Sequence, residues 1–288
     1  WLAFAVSSSM LASAACSGDS AGVVNSADAG DGTTSDAATA ADTGATTQDS
    51  GTPTDSGTPP KDSGAATDSG LVSFPCQATP LPTTAPAMLT VTGGVVDQGA
   101  GGQTPISGAT VEGYATQTST TAIASTTSDA SGDFSLTLST GGVPLDGYLK
   151  LSKAGELDTY LYPNQPLVAD QAKLAGIMVT STTFSGLAFL AGVTQNAAKG
   201  FTAVAVLDCS GASVAGAIVT TSAGGTTKYN GTSGPSSTAA ATGADGLAYV
   251  FNMTPGDATV MVTVGGKAYR THHVFTRTGA FTTTLATP

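Results

Sequence analysis

The chain has 288 residues, a formal net charge of −11 and only 10% charged residues, with 37 glycines, three cysteines and two histidines. Nine bases against twenty acids leave no basic stripe, which excludes a nucleic acid partner. Glu112 and Glu156 are the only glutamates. The chain also lacks a Gly-x-Ser-x-Gly elbow, a phosphate-binding loop and a zinc-peptidase pattern, so no catalytic constellation and no cofactor are expected.

The first sixteen residues are an apolar and small-residue run. Leu2, Ala3, Phe4, Ala5, Val6, Met10 and Leu11 lead to Ser13-Ala14-Ala15-Cys16. This is the order of a signal h-region and a small-residue cleavage site. It is too short and too rich in Ser to span a bilayer, which needs about 20 apolar residues. The basic n-region is absent and the chain starts at Trp1, so residues are expected upstream. The segment resembles a bacterial lipoprotein signal, with Leu11 and Ser13 as departures from the usual Leu three residues before the modified cysteine. That resemblance implies acylation of Cys16 and a membrane partner through the lipid; a plain secretory signal is the alternative.

Residues 17–75 are almost entirely Ala, Thr, Ser, Gly, Asp and Pro. Asp49-Ser50-Gly51, Asp55-Ser56-Gly57, Asp62-Ser63-Gly64 and Asp68-Ser69-Gly70 form an irregular repeat. With few large apolar side chains beyond Val23 and Val24, this segment cannot offset backbone ordering at about 1–2 kcal/mol per residue. A disordered acidic tether is expected. Calcium binding is disfavoured because the regular glycine-rich nonapeptide is missing.

If Cys16 is acylated, Cys76 and Cys209 remain. An even remainder in an exported protein favours a disulfide over two free thiols.

From Cys76 the texture changes to short alternating runs between Gly, Asp and Asn, which predicts an all-β fold of two tandem β-sandwiches. The first covers residues 76–168 and the second 201–288. Phe134, Leu136 and Leu138 alternate with polar neighbours, as do Val260, Val262 and Val264. Phe281, Thr283 and Leu285 are expected on a core face, with Thr282 and Thr284 toward solvent. The pattern occurs twice. Val91 to Asp97, Pro105-Ile106-Ser107-Gly108-Ala109-Thr110-Val111 and Thr127 to Phe134 form one copy. Val204 to Asp208, Val214-Ala215-Gly216-Ala217-Ile218-Val219 and Thr242 to Tyr249 form the other, followed by Pro255-Gly256-Asp257-Ala258-Thr259-Val260. Gly108 and Gly216 allow a tight strand entry, and Asp129 to Gly132 and Asp245-Gly246 make a turn.

This order resembles the carboxypeptidase regulatory-like domain over most of residues 88–162 and 201–287. The resemblance implies a transthyretin-like seven-stranded sandwich of the kind common in exported bacterial proteins, without the peptidase it accompanies. The connector 169–200 reads as a strand over Leu174 to Val179, then a short helix. Ser181 is the expected N-cap, with Phe184, Leu187 and Leu190 packing on the sandwiches.

Three residues are weak metal candidates. His272 adjoins His273, and intradiol dioxygenases of a related sandwich hold iron with two Tyr and a His-x-His pair. Adjacent strand residues point to opposite faces, so one histidine facing water is the favoured reading. Asp129 and Asp133 flank a turn that could hold calcium, but a turn capping its own backbone is favoured. The expectation is therefore a non-enzymatic exported lipoprotein of the cell envelope, bound for the outer membrane. Its partner would be a surface polysaccharide or another envelope protein. The alternatives are a metal-dependent enzyme of this fold class and an accessory subunit of an exported hydrolase.

Overall fold

A computed structural model describes residues 74–99, 102–231 and 234–288. The leader 1–16 with Cys16, and the tether 17–75 apart from Phe74 and Pro75, lie outside the described residues. What is described is an all-β fold of sandwich type with a single α-helix among the described residues.

The first half carries eight strands: β1 (Met88–Gly99), β2 (Gly102–Pro105), β3 (Thr110–Tyr114), β4 (Ala124–Thr127), β5 (Asp133–Ser139), β6 (Tyr148–Ser152), β7 (Thr159–Tyr162) and β8 (Gln171–Met178). Helix α1 (Ser181–Leu190) follows. The second half carries β9 (Gly200–Val206), β10 (Ala217–Thr221), β11 (Thr226–Gly231), β12 (Gly234–Ser236), β13 (Leu247–Met253), β14 (Gly256–Val264), β15 (Lys267–Ala268), β16 (His272–Thr276) and β17 (Phe281–Ala286).

Each half repeats one pairing scheme. In the first, β1 pairs antiparallel with β5 and parallel with β8, while β3, β6 and β7 form a second antiparallel run. In the second, β9 pairs antiparallel with β13 and parallel with β17, while β10, β14 and β16 form the matching run. The halves are then joined. β17 also pairs in parallel with β7, Phe281 opposite Thr159 through Thr284 opposite Tyr162. One nine-stranded sheet results, in the order β12-β11-β13-β9-β17-β7-β6-β3-β4.

Strand alternation sends side chains to both faces of this sheet. On one face Leu149, Leu151 and Leu161 pack with Val91, Leu136 and Leu138 of the β1-β5-β8 layer. On the opposite face Tyr148 and Tyr162 join Val204, Val250, Val260 and Val262, the core shared with the β10-β14-β16 layer. The small layers thus cover opposite faces at opposite ends. The remaining face of the second half, with Phe201, Ala203 and Phe251, is covered by Ile177, Val179 and α1.

This arrangement corrects the reading of β17. Thr282 and Thr284 are buried along with Phe281 and Thr283, because β17 sits in the middle of a sheet covered on both sides. The helix also differs in detail. Thr180, not Ser181, is the N-cap and accepts from the Thr183 N–H at 3.1 Å. Phe184 and Leu187 pack against Phe201 and Phe251 as expected, but Leu190 is exposed and Ala188 and Ala191 are buried instead.

The sequence repeat has a structural counterpart. Ser128 Oγ donates to the Ile106 carbonyl at 2.6 Å and accepts from the Ala109 N–H at 2.9 Å. Thr242 Oγ1 donates to Val214 O at 2.7 Å and accepts from Ala217 N–H at 2.9 Å. The two turn glycines, Gly132 (φ 81°) and Gly246 (φ 69°), lie against carbonyls of the neighbouring strand. A Cβ there would fall 2.6 Å from Val95 O and 2.5 Å from Val206 O, so glycine is required for space as well as for backbone angle.

Candidate functional site

A gathering of polar and aromatic side chains lies where the halves meet. β3, β6 and β7 bring Tyr114, Tyr148 and Tyr162 side by side on one face. The rings of Tyr114 and Tyr148 stack at 4.4 Å, and those of Tyr148 and Tyr162 lie 5.2 Å apart. A second cross-strand row on this face runs Glu112, Lys150, Tyr160 by register. Arg277, in the loop after β16 of the second half, reaches into the cluster. Its guanidinium lies 4.0 Å from the Tyr160 ring and 4.9 Å from those of Tyr148 and Phe275. Its Nη1 donates to the Tyr162 hydroxyl at 2.8 Å and to Phe275 O at 2.9 Å. A guanidinium over aromatic faces, with its Nη1 donors used, is a stabilising arrangement worth about 0.5–2 kcal/mol.

The electrostatics follow from burial. Burial pushes the Tyr162 phenol up to about 12, against the opposing pull of Arg277. Burial, then the hydrogen bond to Glu112, raises Tyr114 further. Burial also raises Tyr148, whose hydroxyl donates to Ser119 O at 2.6 Å. These phenols are neutral donors at ordinary pH. At the rim, Lys150 pairs with Asp158 at 2.9 Å, both partly exposed.

Of the three metal candidates, His272 and Asp129 take structural parts. His272 is buried and His273 is exposed, on opposite faces of β16. His272 Nδ1 lies 2.8 Å from Asn164 O, and Nε2 accepts from the Thr287 N–H at 3.2 Å. With both ring nitrogens engaged, the neutral Nδ1–H tautomer satisfies the set. Burial holds its pKa below the ordinary value. Asn164 Nδ2 donates to Thr287 Oγ1 at 2.9 Å, so the loop after β7 is tied to the chain end through this histidine. Asp129 Oδ1 accepts from the N–H groups of Ser131 at 2.8 Å and Asp133 at 2.9 Å, capping its own turn. Among the described residues no three His, Cys, Asp or Glu gather as a metal set. The signal for this capping was the Asp-x-x-Gly turn itself. Nothing in the sequence marked Arg277 or Asn164.

Cys76 and Cys209 are bridged, with Cα atoms 5.6 Å apart across a sequence separation of 133. The segment around Cys76 lies on the second half although it precedes the first. Phe74 meets Tyr269 edge-on at 4.7 Å, and Arg270 Nη2 donates to the carbonyls of Cys76 at 3.2 Å and Gln77 at 2.5 Å.

No family model and no curated protein matches this chain. Among solved structures, it is similar to a type II cohesin–X-dockerin complex from Acetivibrio cellulolyticus at 19% identity and a TM-score of 0.24, over 32% of this chain and 58% of that one. The shaft pilin SpaA from Lactobacillus rhamnosus GG is 13% identical with a TM-score of 0.22, over 70% of this chain and 98% of the pilin. The Bacillus anthracis TIE protein is 10% identical with a TM-score of 0.23, over 69% of this chain and 35% of that one. With scores this low, the functional reading rests on the chain's own geometry. No helix among the described residues is long and apolar enough to cross a membrane.

Proposed function

We propose that this protein is a non-enzymatic, exported lipoprotein of the cell envelope. Acylated Cys16 would hold it to the outer membrane, residues 17–75 would act as an acidic spacer, and the paired sandwiches would serve as a rigid binding or structural module. The carboxypeptidase regulatory-like resemblance of the two repeats belongs to this reading. The observation that carries it is the nine-stranded sheet running through both halves. The polar side chains best placed for chemistry, Arg277, the tyrosines, His272 and Asp129, are engaged in joining or capping that framework. A fixed platform fits a partner of defined shape, such as a surface polysaccharide or another envelope protein.

Two measurements test this. Cys16→Ser should move the protein from the detergent phase to the soluble fraction; unchanged partitioning would remove the anchor from the proposal. Metal analysis of the purified protein should find no stoichiometric iron or zinc. A stoichiometric metal with loss on His272→Ala would favour the enzymatic alternative.

A further inference from the structure

The first sandwich contains a cavity that the framework reading does not use. Its volume is about 80 Å³, and its walls are mainly apolar: Val91 and Leu138 from one layer, Leu149 and Leu161 from the other. Leu145 and Leu167, paired as a lone β-bridge, lie beside it. The space corresponds to about five waters or a group of about six heavy atoms, and apolar walls do not hold water well.

Two features of β8 single this cavity out from a packing gap. Gln171 lines it and is 6% exposed; its Nε2 donates to Ala169 O at 2.8 Å, yet its Oε1 is buried without a partner. Buried amide oxygens are ordinarily paired, so an orphan here marks an unfilled acceptor. Next to it the strand bulges. Val91 faces Gln171 and Gly93 faces Leu174, so Ala172 and Lys173 together oppose Thr92. Lys173 sits at φ 61°, a left-handed angle unusual for a non-glycine residue. Gly93 permits the bulge, since a Cβ there would fall 2.1 Å from Leu174 O. Bulges and strained residues concentrate beside binding sites.

We propose that this cavity binds the apolar end of a small neutral amphiphile, a chain or ring of about six heavy atoms whose hydroxyl or amide N–H pairs with Gln171 Oε1. A neutral donor head is specified because only a donor pairs with Gln171 Oε1; Lys173 also lines the cavity, so a carboxylate is the competing head that the test separates. The inference is independent of the anchor and of the envelope partner.

The test is a methyl NMR titration of the full chain with hexan-1-ol and, in parallel, hexanoate. Hexan-1-ol should give saturable shifts on the methyls of Leu138, Leu145, Leu161 and Leu167, with hexanoate binding more weakly. Gln171→Leu, close in shape, should weaken hexan-1-ol binding roughly three- to tenfold by loss of one hydrogen bond. Leu167→Trp should abolish it by filling the space. The proposal is overturned if hexan-1-ol gives no saturable shift, if the shifts map instead to the exposed Leu190 and Ile218, or if Gln171→Leu binds it as tightly as wild type.

Discussion

The two halves share one local scheme and differ in what surrounds it. Ser128 in the first and Thr242 in the second make the same pair of hydrogen bonds, and Gly132 and Gly246 meet the same kind of carbonyl. Yet β1, the first strand of one repeat, lies in a small outer layer, whereas its counterpart β9 lies within the nine-stranded sheet. The first half has its own two-layer core. The second packs one layer on each face of its main sheet, with Phe201, Phe251 and Phe281 under the helix. A repeat therefore sets turns and pairing partners, and the joint between repeats sets which strands become central.

The joint can be tested by separating the halves energetically. The largest effect is expected from reduction of Cys76–Cys209. Closing a loop of 133 residues removes about 4–5 kcal/mol of unfolded-chain entropy in the loop-closure model. Reduction should lower the melting temperature by several degrees. An unchanged melting curve, or two alkylatable thiols in the unreduced denatured protein, would sink this expectation.

Next come core truncations on each side of the joint. Phe201→Ala should cost about 3–5 kcal/mol and Leu151→Ala about 2–5 kcal/mol. Because the β7–β17 pairing makes one sheet, both variants should unfold in a single calorimetric transition. Two resolved transitions would show that the halves fold as separate units.

A smaller and more symmetrical effect is expected at the repeated hydroxyls. Ser128→Ala and Thr242→Val each orphan a buried N–H and should destabilise by about 1–3 kcal/mol. The comparison predicts similar losses. A loss confined to one half would mean that the shared bonding is not shared energetics.

The smallest effect concerns His272. Burial depresses its folded pKa below the ordinary 6.5, so the unfolded chain takes up the proton first. Its contribution is full above pH 6.5 and is lost as pH falls from there through the folded value, at no more than about 1.4 kcal/mol per pH unit. Chemical denaturation between pH 7.5 and pH 5 should show this slope (roughly the imidazole range), and His272→Gln should flatten it. A slope identical in the variant would assign the pH dependence elsewhere.

Much of this was legible in the chain itself. The alternation in β5 and β14 reads directly as one buried face: Phe134, Leu136 and Leu138 are buried with their neighbours exposed, and Val260 and Val262 follow suit. The Asp-x-x-Gly turns also declare themselves, because their backbone angles depend on residues within a few positions; the crowding of Gly132 by Val95 O and of Gly246 by Val206 O does not. The helix was readable to within one residue of its cap.

What local pattern could not supply was the partner across a long separation. The parallel pairing of β7 with β17 joins residues more than a hundred positions apart, and no periodicity in either strand encodes it. The burial of Thr282 and Thr284, the reach of Arg277 into the tyrosines and the engagement of both His272 nitrogens all follow from that pairing. Sequence alone determined the strands, their turns and the repeat, since period and φ are properties of short segments. The tertiary structure alone decided which strand is central and which polar groups are internal, since burial depends on what packs against a strand from outside it.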